Sequence, residues 1–89
     1  MKKYSETYKT VFTERALKDL ETFDKATKNR IGKKIRDYSK QPLKYSKKLV
    51  SFKIGGYRFR IGNYRVIFDI VKDEIVILRI GHRKNIYQS

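Results

Sequence analysis

The chain has 89 residues, no cysteine, and 23 Lys and Arg against 9 Asp and Glu, a formal net charge of +14. That length holds one domain with a modest core, and the missing cysteine excludes disulfide staples, thiolate nucleophiles and cysteine-ligated zinc. The charge excess is larger than solubility requires and points to a polyanion partner: nucleic acid, an acidic membrane surface or an acidic protein.

The N-terminal Met1-Lys2-Lys3-Tyr4 is basic, but no apolar run follows it, so it does not read as a secretory signal. No stretch approaches the roughly 20 apolar residues that span a bilayer. The expectation is a cytoplasmic protein with no membrane partner. Repeats, low-complexity tracts and linkers are absent, so residues 1–89 read as a single domain.

Thr7 to Phe12 alternates loosely and predicts a strand. Thr13 is a plausible N-cap, because its hydroxyl can accept a backbone N–H of the first turn. Ala16, Leu17, Leu20 and Phe23 follow at helical spacing. Asp24 can cap a second helix with Ile31, Ile35 and Tyr38 on its apolar face. Gln41-Pro42 should end that helix, since the residue before proline avoids the helical region. The short link between the two helices predicts a helical hairpin.

Residues 43–56 carry no clear period. Lys44, Lys47, Lys48 and Lys53 make them basic, and Gly55-Gly56 interrupts any regular element. Strand signals then become clear. Tyr57, Phe59 and Ile61 alternate with Arg58 and Arg60, and Gly62-Asn63 is a two-residue hairpin signal. Tyr64, Val66, Phe68 and Ile70 alternate with Arg65, Ile67 and Asp69. Lys72-Asp73-Glu74 is a polar turn. Ile75 to Ile80 is almost continuously apolar, which predicts a central strand covered on both faces. The expected fold is α+β, in the order β-α-α-β-β-β, with the helical hairpin packed on one face of a mostly antiparallel sheet.

A two-residue turn at Gly62-Asn63 pairs Ile61 with Tyr64 and Arg60 with Arg65. Arg58 points the same way as Arg60. Arg58, Arg60 and Arg65 therefore share one sheet face, while Tyr57, Phe59, Ile61, Tyr64, Val66 and Phe68 are left to pack on the helices. Arginine is favoured where phosphate is gripped bidentately. The plainer alternative is a solvated strand face with dispersed partners such as Asp69. His82 is the sole histidine and a candidate acid or base; the plainer alternative is a structural residue or a backbone contact. No metal-ligating set is apparent, and Gly55-Gly56 precedes a strand rather than the helix of a phosphate loop. Neither a metal nor a small-molecule cofactor is expected. Most aromatics fall on core positions; Tyr87 and Tyr45 are open to stack on bases.

The segment Gly-Tyr-Arg-Phe-Arg-Ile-Gly-Asn-Tyr-Arg-Val-Ile-Phe, residues 56–68, resembles the meander of RelE-type toxins. Residues 81–87, Gly-His-Arg-Lys-Asn-Ile-Tyr, resemble their C-terminal motif, and residues 11–20 are similar to their first strand and helix. The resemblance to the RelE/ParE superfamily implies a toxin of a type II toxin–antitoxin system. It implies entry into the ribosomal A site, with contacts to ribosomal RNA, metal-independent cleavage of mRNA, and neutralisation by a cognate RelB-like antitoxin. The family's meander arginine falls on Arg65, its tail arginine on Arg83, its basic strand pair on Arg58 and Arg60, and its C-terminal tyrosine on Tyr87. Lys48, Lys53 and Lys84 join Arg58 and Arg60 as candidate RNA contacts.

Cleavage without a metal needs the 2′-hydroxyl deprotonated, the phosphorane charge stabilised and the leaving oxygen protonated. Fixed guanidinium groups can supply the second. A phenol ordinarily holds its proton too tightly for a base, but Arg65, Arg83 and Lys84 would favour the phenolate of Tyr87. His82 is the alternative base. Two other functions share this resemblance or this charge: a ParE-type gyrase inhibitor, and a non-catalytic RNA- or ribosome-binding module. The meander arginines and the Gly-His-Arg tail lean toward the nuclease.

Overall fold

The computed structural model describes residues 8–49 and 55–86. Strand β1 (Lys9–Phe12) leads into helix α1 (Glu14–Glu21). Thr13 caps α1, its hydroxyl accepting the Ala16 N–H at 3.1 Å. Asp24 caps α2 (Lys25–Tyr38) in the same way, accepting the Thr27 N–H at 2.9 Å. Each cap satisfies a donor that the first helical turn leaves without an intrahelical partner. Ala16, Ile31 and Ile35 are the residues these helices bury; Leu20, Phe23 and Tyr38 are partly buried against them. Leu17, expected on the apolar face, is 48% exposed.

Between α2 and the meander the chain departs from expectation. The helix stops at Tyr38, short of the proline, and Pro42 opens a further short helix, α3 (Pro42–Tyr45). A first-turn position is where proline's missing N–H is least disruptive. Strand β2 (Ser46–Lys48) follows, pairing antiparallel with β3 (Tyr57–Ile61). A three-residue, lysine-rich strand has no alternation to read; β3's edge recruits it, and lysines suit an outer strand because they discourage pairing with another chain.

Strands β3, β4 (Tyr64–Val71) and β5 (Glu74–His82) form the predicted meander. The sheet order is β1-β5-β4-β3-β2, antiparallel except where β1 joins β5 in parallel. At the β3–β4 turn Gly62 has φ 60°, the left-handed conformation that a glycine-first hairpin turn requires. Both long helices lie on one face of the sheet, α1 over β5 and α2 over β3. Phe59, Ile61, Val66, Phe68, Ile75, Ile77 and Ile80 pack there against Ala16, Ile31 and Ile35. β5 is interior, yet its burial alternates; the strand buried on both sides is β4, where Arg65, Val66, Ile67 and Phe68 are all buried in succession.

Two features close the far side and the edge. The turn at 83–86 folds back so that Ile86, 2% exposed, sits over Gly81, where an added Cβ would lie 3.0 Å from its Cδ1. Beyond the end of β1, the Asp19 carboxylate accepts the Ile80 N–H at 2.9 Å and Arg79 Nε at 3.0 Å. A helix side chain thereby replaces the strand partner that β5 lacks there.

Candidate nucleic-acid interface

The β3–β4 turn sets the register of the site. Arg60 stands opposite Arg65, and Arg58 opposite Ile67. Strand alternation puts these residues on the face turned away from the helices. The three arginines nevertheless have different surroundings. Arg65 is only 7% exposed, and its Nη1 donates to the carbonyls of Gly62 at 3.0 Å and Tyr64 at 2.9 Å. A buried guanidinium needs such acceptors, and these two hold its head against the turn. Arg58 is half-buried and Arg60 exposed.

The tail docks on the same turn. The Arg83 backbone N–H donates to Asn63 O at 2.7 Å. Arg83 itself is exposed, as is Lys84, whose N–H donates to His82 Nδ1 at 3.2 Å. The guanidinium of Arg30 on α2 also reaches the turn, and a Cβ on Gly62 would collide with it. The turn therefore gathers the guanidinium groups of Arg65 and Arg30 and the backbone of Arg83. His82 belongs to the opposite face: it pairs with Tyr64, their rings meet edge-on at 5.6 Å, and Tyr64 meets Phe23 at 5.1 Å on the helix side.

A second basic feature adjoins the first through the Arg60–Arg65 pair. Lys44, Tyr45, Ser46, Lys47, Arg58 and Arg60 line an open groove of about 290 Å³ along β2 and β3. Lys47 stands opposite Arg58, which brings it onto the arginine face. Lys48 stands opposite Tyr57, a residue packed against the core, so Lys48 lies on the helix side and outside the groove. Tyr45 is 43% exposed and stacks on Tyr38 with ring centroids 4.7 Å apart and an interplanar angle of 12°. Asp69, the suggested partner for the arginines, instead accepts the Gly56 N–H at 2.7 Å. Lys53 and Tyr87 lie outside the described residues.

The structure thus brings together Arg65 and Arg83 at the turn, and Arg58 and Arg60 in the groove. It adds Arg30, Lys44, Ser46 and Lys47, which sequence reasoning left out of the site. Lys44 and Lys47 were visible only as part of a basic stretch, because their placement depends on β2. For Arg30 no local signal exists; its role comes from α2 crossing the hairpin.

A family model described as ParE toxin of type II toxin–antitoxin system, parDE, matches residues 10–87. No curated protein sequence matches the chain. Among solved structures, the chain is similar to the toxin–antitoxin complex RelBE2 from Mycobacterium tuberculosis, with a TM-score of 0.77 and 30% identity, covering 86% of this chain and 99% of that one. It is also similar to the archaeal RelE–RelB complex from Pyrococcus horikoshii OT3, with a TM-score of 0.71 and 27% identity over 89% and 98% of the two chains. The RelB–RelE antitoxin–toxin complex from Methanococcus jannaschii gives a TM-score of 0.67 and 30% identity over 88% and 95%.

Proposed function

The chain belongs to the RelE/ParE toxin superfamily of type II toxin–antitoxin systems, and on that premise we propose that it is a ribosome-dependent, metal-independent mRNA endonuclease. The observation that carries this is the meeting of Arg65 and Arg83 at one hairpin turn, the first through its guanidinium and the second through its backbone. A charge already held in place by the fold, as that of Arg65 is, stabilises a developing phosphorane without reorganising at the moment of reaction.

In the proposed reaction the 2′-hydroxyl loses its proton to a base and its oxygen attacks the adjacent phosphorus. The new 2′-O–P bond forms as the P–O5′ bond breaks, and the 5′-oxygen takes up a proton. The products are a 2′,3′-cyclic phosphate and a free 5′-hydroxyl. Arg83, exposed at the turn, binds the non-bridging oxygens, and Arg65 adds a fixed positive charge beside them. Arg58 and Arg60 hold the flanking chain. Tyr87 is the proposed base, with His82 as the alternative; the position of His82 on the Tyr64 side of the sheet favours Tyr87. The proposed partners are a RelB-like antitoxin, as in the similar complexes, and mRNA in the ribosomal A site in the cytoplasm.

The test is mRNA cleavage on programmed ribosomes by the purified chain, mapped to the nucleotide. Cuts confined to the A-site codon are expected, and intact mRNA at stoichiometric toxin would overturn the proposal. The matching family model carries the ParE name, so gyrase inhibition is the second reading. Loss of DNA supercoiling activity in a gyrase assay, with mRNA left intact on ribosomes, would select it.

A further inference from the structure

We propose that the groove between β2 and β3 is a single-nucleotide subsite, in which Tyr45 stacks on one base while Lys44, Lys47, Arg58 and Arg60 hold the phosphates beside it. The inference rests on the RNA reading above and adds to it a base-contacting residue outside the turn.

The ring of Tyr45 supplies the first observation. The residue is 43% exposed, the parallel ring of Tyr38 lies beneath its own, and the Lys44 ammonium lies over it, 5.4 Å from the centroid, where an entering base would displace it toward a phosphate. Tyr38 in turn rests on Phe59, 5.4 Å away in the core. A supported aromatic face loses little conformational freedom on binding, and stacking accepts any base because every base has a π-face.

Charge supplies the second. Four cations line the groove, and the ion pairs among the described residues engage Asp19 with Arg15 and Arg79 and none of these four. The chain carries no acidic residue between Asp37 and Asp69. Clustered cations with no ion pair among the described residues repel one another unless an anion enters.

Size and neighbourhood decide the class of anion. A groove of about 290 Å³ falls just below the usual size of small-molecule sites, roughly 300–1,000 Å³, and suits one nucleotide better than a peptide helix. An acidic peptide would neutralise the lysines and arginines but would leave the flat ring unused; a nucleotide engages both. Arg60 ties the groove to Arg65 across the β3–β4 ladder, so a strand held here runs on to the turn.

The full chain is titrated, by fluorescence anisotropy, with a short single-stranded RNA and with an all-abasic oligonucleotide of the same length and charge. Wild type and Tyr45→Phe are expected to bind the base-bearing RNA about 5- to 100-fold more tightly. Tyr45→Ala is expected to bind both probes alike. Lys47→Gln, at an exposed position, should weaken both probes equally. Equal binding of the two probes by wild type overturns the subsite, as does a base preference that survives Tyr45→Ala. An acidic peptide whose binding depends on Tyr45 when RNA binding does not would reassign the groove to a protein partner and also overturn it. The two proposals fail separately. A Tyr45-dependent base preference in a chain that cannot cut mRNA on ribosomes sinks the nuclease and keeps the subsite, and normal cutting without that preference does the reverse.

Discussion

Arg65 and Arg83 meet at one turn by different means, so their substitutions should separate charge from structure. Arg83→Ala removes an exposed guanidinium but keeps the backbone bond to Asn63. It should reduce cleavage by about 10²–10³, the usual loss for one charge-stabilising donor, at an unchanged melting temperature. Arg65→Ala should lose comparable rate and also soften the fold. It deletes a buried side chain that donates to two carbonyls, which on general grounds destabilises by about 1–3 kcal/mol. Arg65→Lys keeps a charge and should recover part of the stability. Wild-type cutting by both alanine variants would show that the site lies elsewhere. Tyr87→Phe keeps the ring and loses the oxygen, so it should lower rate more than binding, while His82→Gln should be the milder change; the opposite ranking makes His82 the base. The pairing of Arg60 with Arg65 was legible in the sequence because Gly62-Asn63 fixes the register. The burial of Arg65 was not, since no pattern of residues announces that a guanidinium turns back onto the carbonyls of its own hairpin.

At the scale of elements, local signals were readable and recruited structure was not. Thr13 and Asp24 announced their helices because a cap needs only one side chain and the next turn. Thr13→Ala should lower stability by about 1 kcal/mol in a thermal melt. The Asp24 carboxyl sits below its ordinary value of 3.8, chiefly because it accepts hydrogen bonds from Thr27. A depressed carboxyl stabilises the fold above the unfolded-state value, and the contribution fades as pH falls through the folded one. Asp24→Asn keeps a cap acceptor without the charge. The advantage of wild type over this variant should therefore hold from pH 7 to pH 5 and shrink below about pH 4. A difference independent of pH would remove the carboxylate from the account. Strand β2 shows the other case. Ser46-Lys47-Lys48 has no strand pattern, and its existence depends on the open edge of β3; the groove it completes was hidden with it. The β4–β5 turn is a smaller example. Lys72 has φ 57°, a conformation that is uphill by roughly 1–2 kcal/mol for a residue with a Cβ. Lys72→Gly should therefore raise the melting temperature by a few degrees, net of the freedom glycine adds to the unfolded chain; a clear fall would mean that the lysine side chain contributes something there.

For the molecule as a whole, the +14 charge was plain in the composition, but its direction was not. β4 separates two hairpin turns, with Gly62-Asn63 at one end and Lys72-Asp73 at the other. The arginines gather at the first, while Asp73 and Glu74 lie at the second. Glu14, Asp19 and Glu21 sit on α1, over β5 rather than over the groove strands. These acidic residues therefore lie away from the groove, a gradient of sign from which a polyanion should meet the protein on the groove side. RNA binding should be steeply salt-dependent, because each phosphate neutralised releases counterions, with a log–log slope of about −0.7 per contact for single strands. If the gradient orients the RNA, only cations on the groove side set that slope. Lys44→Gln and Arg58→Gln should each make it shallower by roughly 0.7, whereas Lys25→Gln on α2 and Lys72→Gln at the far turn should leave it unchanged. Each variant is titrated against one short single-stranded RNA between low and physiological salt. Four equal decrements would mean that RNA reads only the total charge, and that the groove and the turn confer no preferred face.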